Sequence, residues 1–244
     1  MRSLSSRSSA RVLLVGVGGL GCPAALALQR AGVGLIGLCD DDVVERSNLH
    51  RQIVFGEADV GAPKVAVAAA ALRRQGLGLT VREHACRLLP ENALGLVSEY
   101  DIVLEGSDNF ATKFLASDAC RLAGVPIVHA SAIRWIGTAF AVGAAGAPCY
   151  RCLFEDMPHE SAPNCDEAGV MGPVAGVVAA AQVDLALAWL DGVPVGGNLV
   201  SYDGREDRLR CHRVEPRADC ALCSGVRRIH GLDASAYVST DCSS

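Results

Sequence analysis

The strongest constraint on this chain is the run VLLVGVGGLGCPAAL, residues 12–26. A short apolar stretch bounded by glycine reads as a buried parallel strand. Gly16-x-Gly18-Gly19-x-Gly21 comes next, and an amphipathic pattern over residues 19–31 reads as a helix. Strand, glycine turn and helix in that order set backbone N–H groups and a helix N-terminus against a phosphate. Without a Cβ at the turn, phosphate oxygens can approach the main chain. Asp40 falls 19 residues after Gly21 at the end of a second predicted strand, where a carboxylate can bond ribose hydroxyls. The turn alone fits NAD and ATP equally, and a packing turn with no ligand is spelled the same way.

The pattern continues as an alternation. Strands are predicted at RVLLVG, GLIGLCD, LTVREHAC, YDIVLEG and VPIVHAS, and helices over 57–75, 91–99 and 111–123. Right-handed βαβ crossovers then build a Rossmann-like, mostly parallel sheet in an α/β chain. After about residue 135 the rhythm changes. GTAFAVG has no helix behind it, 153–168 is polar loop, 169–190 is one long helix, and LVSYDG with RLRCHRV reads as a strand pair turning near Asp203-Gly204. We expect a disordered Ser/Arg-rich segment at 1–10 and a flexible tail at 225–244. Between them lies one domain, 11–224, with a nucleotide-binding half (11–135) and a more antiparallel half (136–224).

Half of the 244 residues are apolar and a fifth are charged, as in a globular chain. The net charge is −5 and basic residues form no runs, which argues against nucleic acid as a partner. The 169–190 segment is long enough to span a membrane, but Gln182, Asp184 and its small-residue breaks suit a helix buried in protein or at a subunit interface. The apolar N-terminal run carries the glycine turn and no cleavage-site pattern, against a signal peptide. Eleven cysteines, four of them in C-x-x-C pairs, point to a cytoplasmic metal-binding protein rather than a secreted disulfide scaffold.

Residues 39–69 favour ATP over NAD. Asn48, Arg51, Gln52 and Lys64 fall on a loop and at a helix start, and Lys64 is one of only two lysines beside twenty arginines. A compact ammonium at a helix opening suits a phosphate chain, although Arg51 and Lys64 as plain surface charges remain an alternative. Asp108 follows the fourth strand on the same sheet edge, where an acidic residue is a candidate Mg²⁺ ligand.

The stretches GVGGLG, D…SNLHRQ, GAPK, SDN, CYRC, NCDEAGVMGPVAGVVAAAQ and CALC resemble the ThiF/MoeB/HesA family in residue type, order and spacing. That family comprises bacterial relatives of the ubiquitin-activating enzymes, and the resemblance covers about residues 11–224. It implies ATP-dependent adenylation of the C-terminal Gly-Gly of a small ubiquitin-like sulfur-carrier protein, with release of pyrophosphate, in a homodimer served by a separate sulfur donor. It carries Gly19 and Asp40, with Asp42 near them, to the phosphate turn and ribose. Ser47 to Arg51 and Lys64 become the phosphate-contacting set, and Asp108 with Asn109 the pair near Mg²⁺. The family's N-terminal arm also brings an arginine to the partner's ATP, for which Arg2, Arg7 and Arg11 are this chain's candidates. Two competing readings stay open: an NAD(P)-dependent oxidoreductase, and a non-catalytic zinc-stabilised partner of an activating enzyme. A family member acting on a tRNA base has no support in the charge balance.

Cys149-x-x-Cys152 and Cys220-x-x-Cys223, with 67 residues between the pairs, suit a closed tetrahedral zinc site, and the resemblance gives them that role. Two disulfides or free thiols are the alternative. Cys165 matches the cysteine that in the ThiF branch links covalently to the carrier, and in the MoeB branch is not needed for adenylation. A mobile spectator thiol is the plainer reading of it. Cys22, Cys39, Cys86 and Cys120 read as core, and His84 and His129 as satisfied core histidines. His50 reads as a surface or supporting residue.

Overall fold

A computed structural model describes residues 7–76, 78–157 and 169–237. Its framework is one eight-stranded sheet in the order β3-β2-β1-β4-β5-β6-β7-β8. The strands are β1 (Arg11–Val15), β2 (Leu35–Cys39), β3 (Thr80–His84), β4 (Ile102–Glu105), β5 (Ile127–Ile133), β6 (Ile136–Val142), β7 (Asn198–Asp203) and β8 (Arg208–Arg213). The first five pair in parallel, and β5 to β8 pair antiparallel. This is the expected parallel first half with a more antiparallel continuation.

The parallel strands are apolar on both faces because both faces are covered. Val12 and Leu14 of β1 face one core, and Leu13 and Val15 face the other. The first core is closed by α1 (Gly21–Arg30), α2 (Lys64–Arg74) and α6 (Gly172–Leu190). The second is closed by α3 (Pro90–Ser98), α4 (Phe110–Ala123) and the short α5 (Tyr150–Leu153). Helix limits follow local chemistry. Asn109 caps α4 by accepting from the Thr112 amide at 2.8 Å, and Gly124 ends it at φ 70°. Among the described residues α6 is the one helix long and apolar enough to cross a membrane. It packs along β5 and β6 and against α1.

Four expectations need correction. The helix expected from 57 begins at Lys64, behind a 3₁₀ turn at Glu57–Asp59. Residues 60–63 instead fold back on 42–44, with Val44 donating to the Ala62 carbonyl and Gly61 to that of Val44, and Pro63 then starts the helix. Arg7 to Ala10, expected to be disordered, are held by the Gly34 amide bonding the Arg7 carbonyl and by an Arg7–Asp191 ion pair; residues 1–6 lie outside the described residues. The tail is packed as far as residue 237. Ile229, Leu232 and Tyr237 lie on the second core, and the Tyr237 hydroxyl donates to Asp118 at 2.8 Å. Its last residues, 238–244, lie outside the description. Finally, β5 and β6 extend toward each other into a tight hairpin around Arg134 and Trp135.

The sheet order reverses beside β1, so the loops leaving β1 and β4 diverge and open a crevice between them. A Cβ on Gly21 would lie 2.1 Å from the Gly16 carbonyl oxygen, too close to tolerate. Gly21→Ala is therefore expected to push the turn and α1 apart and to destabilise the fold by about 1–3 kcal/mol. Urea unfolding of the two proteins checks this; equal midpoints would show that the turn relaxes freely.

Candidate functional site

The crevice is part of a cavity of about 770 Å³, within the range of small-molecule sites. At its centre Gly16 turns at φ 88°. A Cβ there would lie 3.1 Å from Gly106 and Ser107, so the β1 and β4 loops touch through glycine. Gly18 and Gly19 form the wall at the start of α1, where the helix end favours negative charge. The side chain of Arg51 lies over Gly19, its Cγ 3.2 Å from where a Cβ would stand.

Asp40 joins β2 to this turn. One carboxylate oxygen accepts from the Val17 amide at 2.7 Å and the other from the Asp42 amide at 2.9 Å. Burial raises its pKa, against the pull of those two amides. Lys64 opens α2 and donates to Asp42 at 2.7 Å. Burial would lower the ammonium pKa, but the bond to Asp42 and the charges of Asp40 and Asp108 raise it overall, so Lys64 stays charged at the mouth. Asn48 and Gln52 are buried on the adjoining loop. That loop rests on the start of α6, where a Cβ on Gly172 would lie 2.8 Å from the His50 carbonyl oxygen.

Opposite lies the Gly106–Asn109 loop, organised by Glu105. This fully buried carboxylate accepts from the Ser107 amide at 2.7 Å, the Ser107 hydroxyl at 2.5 Å, Lys113 Nζ at 2.9 Å and His129 Nδ1 at 3.1 Å. Lys113 also donates to the Ala130 carbonyl at 2.7 Å. Burial alone would raise the Glu105 pKa, but Lys113, His129 and Ser107 outweigh it and hold the carboxyl at about 2. Asp108, on the loop this network anchors, lines the cavity with Asn109.

A second branch of the cavity runs over β5 to β7 on the α4 face. Its wall includes His129, Thr138, Phe140, Tyr150, Phe154 and Leu199. One cavity therefore joins a polar, cation-lined end to a largely apolar channel.

The sequence candidates on the cavity wall are Gly16, Gly18, Gly19, Asp40, Asp42, Asn48, Arg51, Gln52, Lys64, Asp108 and Asn109. Gly21 serves the turn from behind. Ser47 is exposed and is not itself on that wall; it donates to Glu45, which is, at 3.3 Å. Asn109 spends its side-chain oxygen capping α4. Arg7 and Arg11 pair with Asp191 and Asp101, and Arg11 begins β1 at the sheet edge opposite the cavity, so neither enters this chain's own site. Arg2, Cys165 and Cys242 lie outside the described residues. Cys22, Cys39 and Cys120 are buried as expected, whereas Cys86 is half-buried on the cavity wall. His50 is exposed, and His84 meets the Tyr100 hydroxyl at 2.5 Å. The sequence reading passed over Glu105, Lys113 and the pairing of His129. Their only signal was a charge closing an apolar strand and the second of two lysines inside an apolar helix.

The four paired cysteines converge. Neighbouring sulfurs of Cys149, Cys152, Cys220 and Cys223 lie 3.4–3.9 Å apart, close to the roughly 3.8 Å edge of a tetrahedron with about 2.3 Å Zn–S bonds. The Arg217 amide also points at Cys152 Sγ from 3.4 Å. Within the same knuckle Arg151 bonds the buried Asp118 of α4 at 2.9 Å, and its guanidinium lies 4.8 Å from the Phe114 ring centre. The cluster is thereby fastened to the helix whose N-terminus lines the cavity.

A sequence model of the ThiF family matches residues 3–223. The chain is 46% identical over 220 residues to the "Adenylyltransferase and sulfurtransferase MOCS3" of Bos taurus, covering 88% of this chain and 48% of that protein. Its identity to the Xenopus laevis protein of the same name is 42% over 221 residues, or 89% and 49% of the two chains. The chain thus spans about half the length of these relatives. In fold it is similar to E. coli MccB solved with MccA-N7isoASN, at TM-score 0.81 and 23% identity over 91% of this chain and 69% of that one. A structure of PaaA is similar at TM-score 0.73 and 18% identity, covering 88% and 67%.

Because the folded state holds the Glu105 pKa below its ordinary 4.5, at about 2, this carboxylate stabilises the fold above about pH 4.5, and the contribution is lost as pH falls toward about 2. The difference is worth about 3 kcal/mol. Glu105→Gln is expected to lower the melting temperature by about 6–12 °C at neutral pH. The gap to wild type should narrow below pH 4.5 in a pH series of thermal melts; a gap independent of pH would contradict it.

Proposed function

Because the chain belongs to the ThiF family, we propose that it is an adenylyltransferase acting on the C-terminal Gly-Gly carboxylate of a small ubiquitin-like sulfur-carrier protein. The observation that carries this reading is the single cavity with two unlike ends. ATP occupies the polar end, its phosphates against Gly18, Gly19, Arg51 and Lys64, with Asn48 and Gln52 beside them and its ribose near Asp40. The carrier's extended C-terminus occupies the channel over β5 to β7. The carboxylate oxygen bonds to the α-phosphorus as the bond to pyrophosphate breaks, leaving an acyl-adenylate. Two anions approach each other in this step, so the fixed charges of Arg51 and Lys64 must offset the repulsion. Asp108 is the residue that would hold Mg²⁺, which supplies further charge neutralisation on the phosphates when bound.

Sulfur reaches the activated carrier from a separate donor protein, and Cys165, by its match to the family motif, is the residue for the covalent link to the carrier in that later step. The apolar outer side of α6 serves a homodimer, and the cysteine-rich chain works in the cytoplasm. Cys149, Cys152, Cys220 and Cys223 would hold a structural zinc ion, which would tie the chain after β8 to α5 and supply no reacting group.

Carrier-dependent ATP–pyrophosphate exchange tests the reading, with each carrier offered intact and without its Gly-Gly. Exchange that disappears on truncation supports it, and failure to bind ATP refutes it. Arg51→Ala and Asp108→Ala are each expected to lower exchange on the order of 10²–10³-fold, in a protein that still melts cooperatively. Separately, elemental analysis of the purified protein is expected to find one zinc per chain. Cys152→Ser should lose the metal and melt at lower temperature; a fully folded, metal-free wild type would refute the zinc assignment.

A further inference from the structure

His129 lies directly opposite Glu105 in the β4–β5 register and forms part of the cavity wall. It is 3% exposed. Its Nδ1 is 3.1 Å from Glu105 Oε2, and since Glu105 is ionised, Nδ1 carries the proton and donates it. Burial lowers the pKa of the ring against the pull of Glu105, so the imidazole is neutral at neutral pH. Nε2 is then a lone-pair acceptor, and it has no partner among the described residues. The Tyr150 ring packs on the imidazole with centres 4.5 Å apart. A buried acceptor without a partner destabilises a fold unless something fills it.

We propose that His129 Nε2 accepts a hydrogen bond from a main-chain N–H in the last two peptide units of the acyl donor, making His129 a specificity-determining residue. The proposal rests on the adenylation reading above. A Gly-Gly end has no side chains to recognise, so polar attraction to it can come only from its main-chain donors and acceptors. In a channel walled by Phe140, Phe154 and Leu199, an entering N–H loses its water, and a fixed acceptor replaces it. Lysine and arginine cannot accept, and a protonated histidine cannot either. Glu105 is the positioning residue that keeps the proton on Nδ1. The register puts His129 one residue before the level of Gly106, so a tail reaching the Asp108 loop passes it with its last residues.

The test uses the carrier that supports exchange, rebuilt by ligation with an ester oxygen in place of the N–H of the terminal or the penultimate glycine. His129→Phe keeps a ring against Tyr150 and removes the acceptor. In wild type, the ester at one of the two positions is expected to raise the carrier KM about tenfold, with a smaller change in kcat. In His129→Phe, the all-amide carrier should show that raised KM already, and the ester should add nothing. Equal ester penalties in both proteins would overturn the proposal, as would no penalty at either position in wild type. A ¹⁵N spectrum of histidine-labelled free protein gives a check without the carrier, and a proton found on Nε2 would also overturn it. If no all-amide carrier supports exchange, the adenylation reading fails and takes this proposal with it.

Discussion

The carboxylate of Glu105 is the point on which the working end of this molecule hangs. It is shut from water, and it accepts hydrogen bonds from the loop that follows β4, from α4 and from β5. The main chain at the same residue is held from the opposite face by Gln182 of α6, which also bonds the Val128 carbonyl. A buried charge is costly unless it is paired and fully hydrogen-bonded. Here the lysine opposes the charge, and Ser107 and His129 occupy other lone pairs. The same bonds that make the charge tolerable also set the loop that carries Asp108.

A second buried pair links the two halves of the chain. Arg151, between two of the clustered cysteines, bonds Asp118 on α4, and Tyr237 from the far end of the described chain bonds the same carboxylate. One helix therefore presents its N-terminus to the cavity and receives the cysteine knuckle along its length. Metal binding at the knuckle would bear on the cavity through packing and these bonds, without supplying a reacting group.

Much of the architecture was legible because parallel strands buried on both faces must be apolar and the crossover helices between them must be amphipathic. The glycine turn, Asp40, Arg51, Lys64 and Asp108 could be placed on one sheet edge because parallel strands end on the same side. What was misread follows from long-range contacts. Residues 57–59 form a 3₁₀ turn and 60–63 pair with 42–44, so the helix expected from 57 starts only at Lys64. The segment 225–237, expected to be a flexible tail, spends three large side chains on the second core. Ser47 sits between cavity residues in sequence but is itself exposed on the 3₁₀ turn at Arg46–Asn48, where it bonds Glu45 instead of lining the cavity.

By itself, the sequence determined the alternation of strand and helix, the phosphate-ready glycine turn and the pairing of cysteines. Each of these is encoded in residues close together in the chain, through periodicity, missing Cβ atoms or ligand spacing. Only the tertiary structure decided that Glu105, Lys113 and His129 form one network, that Arg151 meets Asp118, and that the crevice beside the glycine turn continues into an apolar channel. Those partners are 8 to 33 residues apart, and their meeting depends on strand register and on which face each helix covers. No local pattern in the chain records either.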